Sequence, residues 1–226
     1  MKLLSTNNTK LEKGESLGYI TYGLSLSPAT KSGKNFCPHA STGCKAVCLD
    51  LSGMGIFANV QAARLAKSRF FIEDRPAFLA QLVKEIGAAL KSATKKGMRI
   101  AIRLNVLSDL PWHNLLDMAA FPDVQFYDYT PNAGRMIEFL QGKLPANYHL
   151  TFSRKEDNQA KAELIAAMGG NVAAVFDALP GVYIGRTVVS GDETDLRFLD
   201  SPGVIVGLKA KGKGKKDESG FVILTA

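Results

Sequence analysis

The apolar positions change period several times along the chain, and each change marks an element. Gly18 to Leu26 (GYITYGLSL) alternates apolar and polar residues, the period of a strand with one buried face. From Ile56 to Glu73 the apolar residues recur at helical spacing, and Arg75 to Lys96 repeats the pattern through Phe78, Leu79, Leu82, Ile86 and Leu90. Gly97 is a suitable stop for the second helix. Short apolar runs then alternate with helical stretches. The runs predict strands at Arg99–Leu104, Val124–Tyr129, Tyr148–Phe152, Val172–Phe176, Val182–Ile184, Val204–Leu208 and Phe221–Leu224. Helices are predicted at Pro111–Ala120, Ala133–Gln141 and Asn158–Met168. Strands alternating with helices imply βαβ units around a parallel sheet. With the first strand there are about eight, so the expected fold is α/β, an irregular TIM-like (β/α) barrel. Residues 18–226 form that single domain, behind a polar arm of residues 1–17 that shows no period. The irregularity is expected near the end. The stretch from Phe176 to Val182 is shorter than the roughly twelve residues a parallel crossover needs, so the last third should be compressed or partly antiparallel.

Composition narrows the setting. A chain of 226 residues can bury a sizeable core without help from disulfides or metals. No apolar run reaches the ~20 residues of a membrane helix, and the polar turn at Ser5 leaves no signal peptide. The expected location is the cytoplasm, with no membrane partner. The net charge of +7 invites a nucleic-acid partner. Its distribution argues for less: Lys209, Lys211, Lys213, Lys215 and Lys216 share one Gly-rich stretch, whose plain reading is a solvated mobile loop. Nucleic acid or a host protein could bind there.

The candidate chemistry lies in the long loop from Ser27 to Gly55, where Cys37, Cys44 and Cys48 stand as Cys-x6-Cys-x3-Cys, with no other cysteine in the chain. Three cysteines so close, in a reducing compartment, indicate a metal or redox site rather than a disulfide framework. Thiolates select zinc, copper(I) or iron–sulfur clusters. Three thiolates on a 4Fe-4S cluster leave one iron for a substrate, as a catalytic zinc keeps an open position. Gly43, Gly53 and Gly55 would let the backbone approach the sulfides, and Cys37-Pro38 echoes the Cys-Pro step of ferredoxins. The rival is zinc bound by the three cysteines and His39, although the Cys37–Cys44 gap is wide for zinc. Unliganded thiols are the third reading. His113 and His149 read as packing residues.

Polar residues close nearly every predicted strand, where a β/α barrel gathers its catalytic groups. Arg103 and Asn105 bracket Leu104 within one strand's alternation, and Ser108 and Asp109 follow. Tyr127 and Asp128 end the next; Arg154, Asp195 and Lys209 stand at or after others. Solvated loops explain about half of such residues on their own. The site reading makes Asp109, Asp128 and Tyr127 proton-moving groups. It makes Arg103, Asn105, Ser108, Arg154, Asp195 and Lys209 substrate-binding, with the arginines forking onto a carboxylate. These groups are expected to converge around one mouth near the cysteines.

The segments CPHASTGCKAVCL, SGMG, AARLAKSRFF, RLNVLSDLPW, QFYDYTP, YHLTFSR, SGDETDLRFLD and VGLKAKGK carry a resemblance. In that order they resemble a family of bacteriophage gene products, small TIM-barrel-like proteins with one 4Fe-4S cluster on three cysteines. The resemblance runs from about Leu24 to Lys213. It implies the barrel, the cluster on Cys37, Cys44 and Cys48, and a host cytoplasm as location. Radical S-adenosylmethionine enzymes resemble the design more distantly. The spacing departs from their C-x3-C-x2-C, and NVLSD (Asn105–Asp109) stands where they carry a Gly-Gly-Glu-like stretch. Three functions are therefore expected in turn. The first is a lyase or desulfidase acting on a small anionic substrate such as a sulfur-containing amino acid. The second is a radical S-adenosylmethionine enzyme. The third is a non-enzymatic cluster-bearing module.

Overall fold

The computed structural model of the protein describes residues 1–6 and 13–225; residues 7–12, inside the predicted arm, and residue 226 lie outside the described residues. The strands are β1 (Leu4–Ser5), β2 (Tyr19–Leu24), β3 (Arg99–Arg103), β4 (Val124–Thr130), β5 (Tyr148–Ser153), β6 (Val172–Phe176), β7 (Val182–Tyr183), β8 (Arg186–Ser190), β9 (Ile205–Lys209) and β10 (Val222–Ile223). The α-helices are α1 (Thr42–Ala46), α2 (Ala58–Glu73), α3 (Arg75–Lys95), α4 (Ala133–Leu140) and α5 (Gln159–Ala167). The strands form one sheet in the order β1-β2-β3-β4-β5-β6-β9-β8-β7, with β10 paired to β6. From β2 to β8 in that order all neighbours are parallel, and β1 and β7 add antiparallel edges. The fold is mixed α/β, and the sheet is not closed among the described residues. Its two ends are already occupied. Leu4 and Ser5 pair with Leu24 and Gly23 on the outer edge of β2, and β7 covers β8.

Alternation along the strands separates two faces. On one, Ile100, Ile102, Val124, Phe126, Leu150 and Phe152 join the main core with Phe71, Phe78, Leu82, Ile86 and Ile165 from the helices. Helix α3 shows why the sequence folds this way. Asp74 caps it by accepting from the Ala77 N–H at 3.0 Å, and Phe78, Leu82, Ile86, Ala89 and Ala93 form its buried stripe. Each large side chain in that stripe contributes about 1.5–3 kcal/mol by leaving water. On the other face Tyr19, Ala101 and Tyr127 form a smaller cluster with Leu196, and Phe198 packs against it. The connection from β8 to β9, with a 3-10 turn at Arg197–Leu199, thus covers this face without a helix.

Four readings of the sequence change. The arm is not polar at its start: Leu3 and Leu4 are buried, their N–H groups donate to the Glu85 carboxylate at 2.9 and 2.8 Å, and Lys67 donates to the Leu3 carbonyl at 2.7 Å. The helix predicted at Pro111–Ala120 is two 3-10 turns, Trp112–Asn114 and Met118–Ala120. Trp112 is fully buried with its indole N–H on Asn105, and Asp117 caps the second turn, so each end answers to a different anchor. Strand β8 was hidden beside β7; Ile184 and Gly185, both at positive φ, turn the chain back as a hairpin. The lysine-rich stretch is no loose loop, since Gly212–Lys216 forms a 3-10 turn packed against Val47 and Ser52 of the cysteine loop.

Candidate metal centre

Parallel strands bring their C-terminal ends to one side, and the cysteine loop lies across those of β3, β4 and β5. After β3, the Leu107 carbonyl accepts from the Cys37 thiol at 3.3 Å, and the Asp109 N–H donates to the Phe36 carbonyl at 2.8 Å. After β4, Asn132 contacts His39 Nε2 at 3.1 Å. After β5, Glu156 accepts from the Ser41 hydroxyl and from the Gly43 N–H, both at 2.7 Å. Ser41 also caps α1, taking the Cys44 N–H at 3.2 Å. A carboxylate from a distant strand end therefore fixes the turn that carries Cys44.

The glycines serve this packing. A Cβ on Gly43 would strike the Ser219 hydroxyl and the Glu156 carboxylate. A Cβ on Gly55 would lie 2.7 Å from the Leu49 carbonyl. Gly53 takes a φ of 52° as the chain reverses.

All three cysteines are free and half-buried. Burial is the main cause that pushes each thiol up, and for Cys44, at about 12, the charges of Cys48 and Cys37 add to it. The three sulfurs are near enough for their charges to interact. Backbone N–H groups oppose the shift: Ala29 donates to Cys37 at 3.3 Å, and the Asp50 N–H favours the Cys48 thiolate. Cations do the same, Lys45 for Cys37, Lys155 for Cys44, and Lys31 with Arg64 for Cys48. Lys31 and Arg64 are themselves held by the fully buried Asp50, whose carboxyl stays low despite its burial because both donate to it. A metal held by such sulfurs would displace their protons. Among the described residues no group of three or more His, Cys, Asp or Glu is arranged to hold a metal ion.

The predicted polar residues fall into separate settings. Arg103 donates to Asp195 at 3.0 Å and lies 4.5 Å over the Tyr129 ring, while Tyr127 donates to the same carboxylate at 3.1 Å. This trio occupies the face covered by the β8–β9 connection. Asp128 accepts from the Asn105 N–H at 2.7 Å and the Tyr148 hydroxyl at 3.0 Å, and Ser108 donates to Asn105 at 2.8 Å. Burial outweighs those donors and pushes Asp128 up to about 7. Arg154 forks onto the Gly220 and Phe221 carbonyls, and Lys209 is exposed. The expected single mouth is thus divided, and Arg154 and Lys209 belong to the C-terminal side of the molecule. Asp109 is the predicted residue that stands beside a thiol. Its Oδ1 takes Arg135 at 2.6 Å and Thr130 at 2.9 Å, and its Oδ2, though buried, has no partner. Lys155, Glu156 and Ser41 lie around the cysteines and were missed. Only the polar step Ser153-Arg154-Lys155-Glu156 after a strand signalled any of them.

The family described as Gene product 88 matches residues 2–224. Comparison with curated proteins and with solved structures finds no match.

Proposed function

We propose that this chain, which belongs to the Gene product 88 family, binds a 4Fe-4S cluster on Cys37, Cys44 and Cys48. In this reading it is an enzyme of the lyase or desulfidase type, acting on a small anionic substrate in the cytoplasm of a phage-infected host. The observation that carries the reading is three free, half-buried thiols on one loop that is tied to the ends of neighbouring strands, with the Ala29 N–H on Cys37. N–H groups aimed at the sulfurs and burial from water are the protein's means of tuning such a cluster. A cube takes each thiolate on its own iron, so the side chains need not converge on one point as zinc would require. His39, the fourth ligand of the zinc alternative, contacts Asn132 through Nε2.

When bound, such a cluster offers a Lewis-acidic iron to a soft or anionic ligand atom. The chain's own residues do the rest. The open sheet acts as a relative of a β/α barrel, holding the loop across its C-terminal strand ends. Asp109, fixed by Arg135 and Thr130, presents a free oxygen as proton acceptor on the Cys37 side. Of the other proton-moving candidates, Tyr127 ties β4 to Asp195 of the β8–β9 connection and Asp128 ties β4 to Tyr148 of β5, through filled hydrogen bonds. Arg103 is taken by Asp195, while the buried cation Lys155 favours the Cys44 thiolate. One observation favours the binding-module alternative: exposed Lys213, Lys215 and Lys216 sit on the turn packed against the cysteine loop. Adding a small thiol, or S-adenosylmethionine, to anaerobic protein and recording the EPR spectrum of its reduced cluster separates the readings. A shift with the thiol supports the lyase reading. An unresponsive spectrum with salt-sensitive binding of nucleic acid supports the module.

A further inference from the structure

The outer surface of the cysteine loop is apolar. Leu49, Met54, Ile56 and Phe57 are 57%, 71%, 61% and 50% exposed. They stand on or beside two consecutive 3-10 turns, Leu49–Leu51 and Gly53–Ile56. The Ser52 N–H donates to the Leu49 carbonyl at 3.2 Å, and the Gly55 N–H to the Ser52 carbonyl at 3.0 Å. Gly55 also lies directly against the Leu49 carbonyl, so the two turns are stacked and the four side chains share one small area. Single exposed apolar side chains are ordinary, whereas four within residues 49–57 form a patch that calls for a partner.

The charge around the patch is of one sign. Between Leu26 and Ile72 the chain carries Lys31, Lys34, Lys45, Arg64, Lys67 and Arg69. Against them stands one acid, Asp50, which is fully buried and held by Lys31 and Arg64. The lysine-rich turn Gly212–Lys216 adds to this. Gly212 packs so closely on Ser52 that a Cβ there would stand 2.7 Å from the Ser52 Cβ, and Gly214 faces Val47. Lys213, Lys215 and Lys216 on that turn, and Lys45 on α1, are exposed, and none has an ion-pair partner among the described residues. Asp217, which follows the turn, is bonded to Ser219 and the Val222 N–H, and Glu218 beyond it is exposed.

We propose that this face docks on an anionic phospholipid surface. Met54, Ile56 and Phe57 enter the headgroup boundary, and Lys45, Lys213, Lys215 and Lys216 face the lipid phosphates. Apolar burial and attraction to anionic lipid together set the strength of such a dock, and both are built into this face. A second copy of the chain would set like charges against like in a two-fold contact. Nucleic acid would answer the lysines and leave the four apolar side chains in water. A protein partner seats its large side chains in recesses. Of two surface clefts, one lies beside Arg154 and Tyr183 and the other between Val47 and Lys216, and neither includes any of the four. A fluid headgroup layer needs no recess. The sequence offered no membrane partner because no segment is long enough to cross, and no helix among the described residues is long and apolar enough to do so. A surface dock needs no crossing helix, and it is independent of what the thiols hold.

The test mixes full-length protein with vesicles of phosphatidylcholine, with or without phosphatidylglycerol, and measures bound protein by sedimentation. Vesicles with the anionic lipid should bind about tenfold or more tighter, and the advantage should shrink as salt rises. In a Phe57→Trp variant, lipids brominated in their acyl chains should quench the added indole. Trp112, fully buried in the unaltered protein, should not respond to them. Met54→Ser with Ile56→Ser should weaken binding by about tenfold or more. Lys213→Gln, Lys215→Gln and Lys216→Gln together should weaken it by about a hundredfold, about fivefold for each. All these side chains are exposed, so both variants should keep the parent's denaturant midpoint. No binding to either vesicle, or equal binding to both, overturns the dock, and that comparison needs no variant to fold. An unquenched Phe57→Trp variant overturns it too. So does a single-stranded oligonucleotide that binds more tightly than the anionic vesicles and is unaffected by Met54→Ser with Ile56→Ser, which assigns the lysines to nucleic acid. A dimer in solution that the same pair of substitutions dissociates assigns the patch to a second copy and also overturns it.

Discussion

Asp128 and Asp109 are both buried carboxylates near the C-terminal ends of the sheet's strands, yet their surroundings differ in kind. Asp128 faces donors from Asn105 and Tyr148 on both of its oxygens. Asp109 is filled on one oxygen and open on the other. The same contrast separates Asp195, closed by Arg103, Tyr127 and Tyr129, from the half-buried thiols, none of which is tied into such a side-chain network. A closed polar network rigidifies a core. Strand-end position alone, which made all these residues look equivalent, does not distinguish the two.

The contrast can be broken in order of effect. Cys37→Ser, Cys44→Ser or Cys48→Ser should each remove most of the bound iron while leaving the sheet folded, because the loop is tied down by Glu156 and Ser41 as well. Iron content and far-UV circular dichroism of each variant check this; unchanged iron in all three would move the site elsewhere. In the closed network the damage should fall on stability instead. Asp195→Ala leaves Arg103 without its carboxylate and should cost about 3–5 kcal/mol, read by urea unfolding. Iron content in that variant should hold.

The next effect is in pH dependence and has two opposing parts. Asp128 is raised by burial from 3.8 to about 7, so between those values the folded chain binds the extra proton and this group's contribution falls as pH rises. His149 is lowered from 6.5 to about 4, first by burial and then by the Arg197 charge. Over that window the unfolded chain binds the extra proton, and the contribution of His149 rises with pH. The two offset one another between pH 4 and 6.5. Relative to the unaltered protein, Asp128→Asn should make stability climb more steeply with pH there, and His149→Phe should make it fall. Denaturant midpoints at several pH values decide; parallel curves for all three proteins would contradict the assignment. The smallest effect is expected on the surface. Lys211→Ala breaks its pair with Asp192, at 2.6 Å and largely in water, and should change stability by no more than about 1 kcal/mol, less still at high salt.

Much of the fold was legible because its causes are local. The alternation in Arg99–Arg103 and Tyr148–Ser153, and the Phe78–Leu82–Ile86 stripe with its Asp74 cap, follow from periods within one element. What was missed depends on distant partners. Leu4 becomes a strand through the edge of β2, and Trp112 breaks a helix because Asn105 and the Phe71–Phe78 rings hold it. The three cysteines were legible as one group on one loop. Their surroundings were not, since Lys155 and Glu156 lie more than a hundred residues along the chain from Ser41 and Cys44.

The central claim is that these three thiols hold a 4Fe-4S cluster. The most direct measurement is the iron and sulfide content of protein purified without oxygen, together with its EPR spectrum after reduction. The account predicts brown protein with about four irons and four sulfides per chain and a reduced-cluster signal that is lost in Cys44→Ser. Colourless protein carrying a single zinc, or three thiols that titrate freely with no metal bound, would contradict it.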